Sequence, residues 1–538
     1  MMNDDEAEGQ TVGADEEEAR GPRDGAQGPS FGAPRGGAQA PSRAVVPRLA
    51  AAPLAALAAG VAAVLVAFSS RYGYHGDELY FLVAGRHLAW GYPDLPPLVP
   101  LLARLLTDVA PHSLVLLRLP SALAAAAIVF LAALTCRELG GGRGAQLLAA
   151  AAIAVSPLLL ASAHLFGTSP FDLLFWTLLV FLVVRILRTG DERLWIVTGL
   201  VAGIGLLNKD LVAFLAFGVL AGIALAGPRR RLASPWLWAG ALIAALLWAP
   251  YLVWQAQHGW PELSVAHSIA AGRSGTSEPR WAFLPFQLVL VSPYLAPVWI
   301  AGLVRLFRDP ALRAFRALGW TWVVLAAVFI VTGGKPYYLG GLMPLLLAAG
   351  APSIVAWLGR GRARLRRGLA LTAIALTALT AVVVTLPVIP PSDLHRTNIV
   401  SLNYDAGQTV GWPTYVEEIA GVYRDLPAGE RASAALVTTS YAEAGAIDRF
   451  GPVLGLPQAY SGQDGFWYWG PPPANATTVV AVGFARSDLA PAFASIRRAT
   501  LLNDHLGVNN DNQGAPVWVC RQPRASWQTL WPRFKYLG

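Results

Sequence analysis

The sequence predicts a mainly α, polytopic membrane protein of about eleven transmembrane helices with a small C-terminal α/β domain. Three observations predict it. Only 14% of the 538 residues are charged while 55% are hydrophobic, and the mean hydropathy is +0.46; soluble domains carry roughly 25% charged residues. The apolar residues fall in runs close to the roughly 20 that a helix needs to cross a hydrocarbon core of about 30 Å. Beyond residue 388 those runs shorten, and Asn, Asp, Gly, Pro and Trp become more frequent. The shortage of charge excludes an ordinary soluble enzyme of several domains.

Residues 1–43 hold nine acids against four arginines and are otherwise rich in Gly, Pro, Ala and Gln. Such a segment buries too little apolar surface to offset the entropy of ordering, so it reads as a disordered cytoplasmic tail. It lacks the basic start and short apolar core of a signal peptide, which makes the first apolar run an uncleaved span. Spans are expected at 45–68, 113–134, 144–163, 170–187, 194–207, 210–227, 234–254, 284–304, 317–332, 337–357 and 368–388, forming a transmembrane domain over 44–388. The runs at 194–207 and 210–227 are short and are compatible with partly re-entrant helices.

Orientation follows from the excess of cations in cytoplasmic loops. Arg137 and Arg143 follow the second span, Arg185, Arg188 and Arg193 the fourth, and Arg229 to Arg231 the sixth. Arg305, Arg308, Arg313 and Arg316 follow the eighth, and Arg360, Arg362, Arg364, Arg366 and Arg367 the tenth. Every even-numbered exit is therefore basic and cytoplasmic, and the net charge of +8 is a topology signal rather than the one-sided patch that nucleic-acid binding needs. The loop 69–112, the loop 255–283 and the region 389–538 then face outward. In that last region 435–440, 477–484 and 515–520 read as strands and 413–425 and 442–449 as helices, an extracytoplasmic α/β domain. Cys136 and Cys520 are the only cysteines, too few for a disulfide framework or a cysteine-rich zinc site.

The densest group of chemically active residues is R71-Y-G-Y-H-G-D-E-L-Y-F, directly after the first span. Asp77 and Glu78 fit a helix start, where acids are favourable. A carboxylate at the membrane surface beside His75, Tyr74 and Tyr80 also suits a general base. In H164-L-F-G-T-S-P-F-D-L-L-F-W-T177, Asp172 heads an apolar helix; it is either another helix-start acid or a cavity group, since acids bordering a span usually face a cavity. Lys209, in L206-L-N-K-D210, and Lys335, in G333-G-K-P-Y-Y338, are two of only three lysines. Both lie on the side that the charge rule keeps poor in cations. A compact cation there suits a phosphate, or it snorkels to lipid headgroups. Tyr337 and Tyr338 could pack on a sugar or belong to the interfacial aromatic belt.

An Asp-Glu pair in the first outer loop, followed by an interfacial helix and Y92-P-D-L-P-P97, resembles the C-type (GT-C) glycosyltransferases, in the protein O-mannosyltransferase and aminoarabinose transferase superfamily. The resemblance spans roughly 60–390. It implies a GT-C-like bundle and an inverting transfer of a sugar, mannose or pentose-like, from a polyprenyl-phosphate carrier to an extracytoplasmic acceptor. In that reading Asp77 is the base, with Glu78 beside it in the catalytic group. His75, Asp172, Tyr337 and Tyr338 line the donor or acceptor cavity, and Lys209 and Lys335 bind the phosphate. A divalent cation is left open. The Ala/Arg-rich, Lys-poor usage adds an expected bacterial plasma membrane.

Weaker candidates are His258, His267 and Arg273 in the loop 255–283. The segment Y460-S-G-Q-D-G-F-W-Y-W-G470 reads either as a carbohydrate surface or as a loop packed on the membrane domain. No P-loop, dinucleotide fingerprint or His-Glu-x-x-His occurs in a fitting context. Two other classes use similar residues: a lipid-linked sugar flippase, which would place polar groups through the bilayer midplane, and a non-catalytic partner that binds polyprenyl lipids.

Overall fold

The computed structural model describes residues 46–273 and 278–538; the predicted tail over 1–43 lies outside them. Helices α1 (Ala51–Phe68), α4 (Leu114–Glu138), α7 (Thr168–Thr189), α10 (Pro235–Gln257), α14 (Arg316–Thr332), α15 (Met343–Leu358) and α16 (Ala363–Thr385) supply seven segments long and apolar enough to cross a membrane, the α14 and α15 segments each including a preceding 3-10 turn. Two further spans are broken. Helices α5 (Arg143–Ala154) and α6 (Pro157–His164) bend by 52°, and α12 (Phe283–Leu290) and α13 (Ala296–Arg308), with the turns before them, by 75°. Pro157 and Pro293 sit at these breaks, where a missing N–H and a fixed φ end one helix and start the next. Helices α8 (Leu194–Leu206) and α9 (Leu211–Ala226) are apolar but shorter. Each of the eleven predicted segments thus has a helical counterpart, two of them bent and two short.

The remaining helices of this part are α2 (Gly76–Ala84), α3 (Leu98–Val109) and α11 (Pro261–Ala270). In lipid, helices gain from close van der Waals approach rather than from apolar burial, so small residues mark their crossings. A side chain at Gly199 would collide with the Gly240 backbone where α8 crosses α10, and one at Gly302 with the Leu346 carbonyl where α13 crosses α15. At the end of α4 remote from α2, buried Glu138 gathers Arg137, Arg185 and Arg188.

After α16 the chain builds a five-stranded sheet in the order β2-β1-β3-β5-β4. Its strands are β1 (Ala435–Thr438), β2 (Ala459–Ser461), β3 (Thr478–Val482), β4 (Phe493–Leu501) and β5 (Pro516–Pro523). Strand β1 runs parallel to β2 and β3, while β5 is antiparallel to β3 and β4. Strands β1 and β3 are buried at every residue, as expected for central parallel strands covered on both faces. The sequence reading finds β1, β3 and β5 and omits the two edges. Strand β2 has only three residues, and β4 carries Arg497 and Arg498 on an exposed edge, a charge placement that blunts edge pairing and also masks the apolar pattern.

Candidate functional site

The helix Tyr441–Phe450 that follows β1 packs directly on α2. A Cβ at Gly76 would lie 2.8 Å from the Ala442 Cβ, and one at Gly445 would lie 2.9 Å from the Leu79 backbone. This close approach brings sheet residues to the head of α2, where the predicted acids sit.

Asp77 is half exposed, and its Oδ1 accepts a 2.8 Å hydrogen bond from the Tyr441 hydroxyl. Tyr441 stacks on Tyr80 at 4.7 Å, and the Tyr80 hydroxyl donates to Asp94 at 2.7 Å. Asp94 belongs to the Y92-P-D-L-P-P97 stretch. Burial, reinforced by the charge of Asp77, raises its carboxyl to about 7 against the lowering effect of the Tyr80 hydrogen bond. Asp464, only 2% exposed, is driven well above the usual carboxylate range by burial and by the charges of Asp94 and Asp77.

Glu78 lies differently from its neighbour. It is fully buried, and both oxygens meet the Arg118 guanidinium at 2.7 Å. Its Oε2 also accepts the His75 N–H and its Oε1 the Phe166 N–H, each at 2.8 Å. Arg118 completes the latch by donating to the carbonyls of Ser69 and Gly73. Every strong acceptor position of Glu78 is therefore used within the protein, so it cannot itself touch a substrate. It holds the head of α2, and so Asp77, against α4 and the α6–α7 connection.

His75 caps α2. Its Nδ1 accepts the Asp77 N–H at 3.2 Å and stands 3.9 Å from Asp77 Oδ2, while Nε2 lies 3.6 Å from Asp405. Burial alone would depress the imidazole, but the nearby Asp405 carboxylate and the charges of Asp77 and Glu78 outweigh it and raise the pKa to about 9. Protonation at Nδ1 exchanges the cap contact for an ion pair with Asp77. A raised folded-state pKa gives stability that is fully present below pH 6.5 and lost as pH climbs through about 9. The thermal midpoint should fall across that window. His75→Asn, which keeps a capping side chain but does not titrate, should flatten the fall; an unchanged slope would remove His75 as its source.

The two lysines converge. Lys209 Nζ lies 5.8 Å from the Tyr337 ring centre and 5.6 Å from that of Tyr338, and Lys335 Nζ lies 6.0 Å from Tyr337. Asp172, with a buried Oδ1 that has no hydrogen-bond partner, is within electrostatic reach of Lys209. Lys335 is within reach of Asp405, and Asp405 faces His75. Glu262, at the head of α11, has a buried Oε2 without a hydrogen-bond partner and senses Asp210, Asp94, Asp464 and Lys209. Electrostatic contacts thus run from Asp77 through His75 and Asp405 to Lys335, and from Lys335 through the tyrosine pair to Lys209 and Asp172.

Several of the residues involved were not singled out from the sequence: Arg118, Asp405, Tyr441, Asp464 and Glu262. Arg118 is visible as a cation at the end of its span opposite the basic loop, and Asp464 lies within the segment 460–470. His258 stacks on Trp254 at 4.0 Å, and Tyr468 and Trp469, at the end of a short helix over Asp464–Tyr468, pack on Trp254 and His87. Among the described residues no three His, Cys, Asp or Glu side chains converge to hold a metal ion.

The fold is similar to that of ArnT from Cupriavidus metallidurans in a structure bound to undecaprenyl phosphate, with a TM-score of 0.55 and 15% identity over 87% of this chain and 98% of that one. It is also similar to the Archaeoglobus fulgidus oligosaccharyltransferase tethered with an acceptor peptide, with a TM-score of 0.51, 13% identity and coverage of 74% and 63%. A third similar structure is the arabinofuranosyltransferase AftD from Mycobacteria, with a TM-score of 0.51, 16% identity and coverage of 88% of this chain and 40% of that one. The chain has the C-type glycosyltransferase fold. Residues 94–254 match the family model described as dolichyl-phosphate-mannose-protein mannosyltransferase, a span that includes Asp172 and Lys209 but neither Asp77 nor Lys335. No curated protein sequence matches the chain.

Proposed function

We propose that the protein is a membrane glycosyltransferase that moves a sugar from a polyprenyl-phosphate carrier to an acceptor outside the cytoplasm, with inversion. The observation that carries this reading is the pairing of chemistries in one region: an accessible carboxylate fixed by Tyr441 and two lysines gathered on one tyrosine pair. The undecaprenyl phosphate bound to the similar ArnT structure supports the choice of donor.

The acceptor hydroxyl attacks the anomeric carbon while Asp77 takes its proton. The carbon–oxygen bond to phosphate breaks, and its electron pair leaves with the phosphate. Tyr441 occupies Asp77 Oδ1, which leaves Oδ2 to accept the proton. Lys209 and Lys335 offset the charge that grows on the leaving phosphate, a contribution that is large where the cations are already in place. Tyr337 and Tyr338 face the two ammonium groups and present an aromatic wall to the sugar. Asp172 orients Lys209. The localisation is the plasma membrane of a bacterium, with the sheet region on the outer face.

Replacing Lys209 or Lys335 by Gln should lower transfer about 10²–10³-fold without changing the thermal midpoint by more than a few degrees. Steady-state kinetics with varied lipid donor measures it. Wild-type rates in both variants would remove the lysines from the phosphate site.

A further inference from the structure

The geometry points to a second ligand site, a crevice in the sheet region that binds an acidic saccharide. Open α/β sheets bind ligands outside the carboxyl ends of parallel strands, where the connections from two neighbouring strands leave in opposite directions. Strands β1 and β3 are such neighbours. The chain leaving β1 passes through the helix Tyr441–Phe450 to β2 on one side, and the chain leaving β3 turns to β4 on the other. A cavity of about 640 Å³ opens at this point, lined by Thr439 after β1, Gln463 after β2, and Phe484 and Asp488 after β3. The C-terminal segment closes it with Arg533, Lys535 and Tyr536.

The chemistry of the lining selects the ligand. Lys535, the third lysine of the chain, is fixed rather than mobile: Nζ lies 4.1 Å from the Trp467 ring centre and 3.2 Å from the Tyr468 hydroxyl. Among the described residues neither Arg533 nor Lys535 has an ion-pair partner. Two cations against the single carboxylate of Asp488, with aromatic faces and amide and hydroxyl groups between them, suit a sugar ring that carries a carboxylate or phosphate. The helix end contributes little to the anion, because Gln463 already accepts the Tyr441 N–H and Ser440 the Glu443 N–H. The crevice adjoins the candidate active site: Ser440 lines it, and the next residue, Tyr441, holds Asp77. Reading the bound saccharide as the acceptor rests on the proposed transferase function; its binding does not.

Calorimetry on the full chain in lipid nanodiscs, without donor, tests the site with trigalacturonate, neutral maltotriose and inorganic phosphate. Trigalacturonate should bind at least about tenfold more tightly than maltotriose. Arg533→Gln combined with Lys535→Gln should weaken it by about tenfold or more, and Asp77→Asn should leave it unchanged. Equal binding of maltotriose, binding of inorganic phosphate alone, indifference to the double substitution, or loss in Asp77→Asn would each overturn the site. Retained binding with absent transfer would overturn the transferase reading and leave the crevice standing.

Discussion

Asp77→Asn is expected to reduce sugar transfer by about 10²–10⁴-fold, the range that a general base contributes, while expression, topology and donor binding stay as in the wild type. Asn is nearly isosteric and keeps an oxygen that can accept the 2.8 Å bond from Tyr441, so the head of α2 should stay in place. Only the capacity to take a proton is lost. Tyr441→Phe removes the restraint and keeps the base; it should cost less, because Asp77 still has His75 at 3.9 Å beside it. Rates measured with saturating donor separate the two. Full activity in Asp77→Asn would require a different base, and Asp94, raised to about 7 and bonded to Tyr80, would be the next to test.

The second large effect concerns stability. Arg118→Met should destabilise the protein by about 3–5 kcal/mol, the cost of leaving a buried charge without its partner. Glu78 has no exposed surface, and Arg118 is only 2% exposed, so solvent cannot replace the lost bonds. The guanidinium also ties the chain at Ser69 and Gly73, so its removal loosens the connection between α1 and α2. Combining Glu78→Gln with Arg118→Met should recover part of the loss, since two apolar or neutral groups can replace a buried pair at little net cost. Thermal unfolding in detergent reads both. An unchanged midpoint in Arg118→Met would mean that the pair does not secure α2.

Much of this was legible in the sequence, for physical reasons. A helix in lipid must satisfy its own backbone and present apolar side chains, so spans announce themselves by length even where a proline breaks them, as between α5 and α6. Lysine stood out because the chain otherwise uses arginine, and both singled-out lysines fall in the candidate site. Asp77 was visible because it sits in a dense local cluster. Its partners were not. Tyr441 and Asp77 are 364 residues apart, and Asp405 and Asp464 occupy very short helices where an acid looks like any solvated acid until the fold sets its neighbours. Glu78 is adjacent to Asp77 in sequence, but successive helix residues point about 100° apart, and Glu78 turns inward to Arg118, a partner 40 residues away that local sequence does not reveal. The edge strands β2 and β4 escaped notice because shortness and charge erase the alternating pattern on which strand recognition depends.

The central claim is that Asp77 and the two lysines make one transfer site. It is tested most directly by incubating purified protein with a polyprenyl-phosphate sugar and a cell-envelope extract as acceptor, and quantifying the free polyprenyl phosphate. Wild-type protein should release it together with a mass increase on an envelope component, and Asp77→Asn should give neither. Movement of the intact lipid-linked sugar across the membrane without release, or equal release by Asp77→Asn, would contradict it.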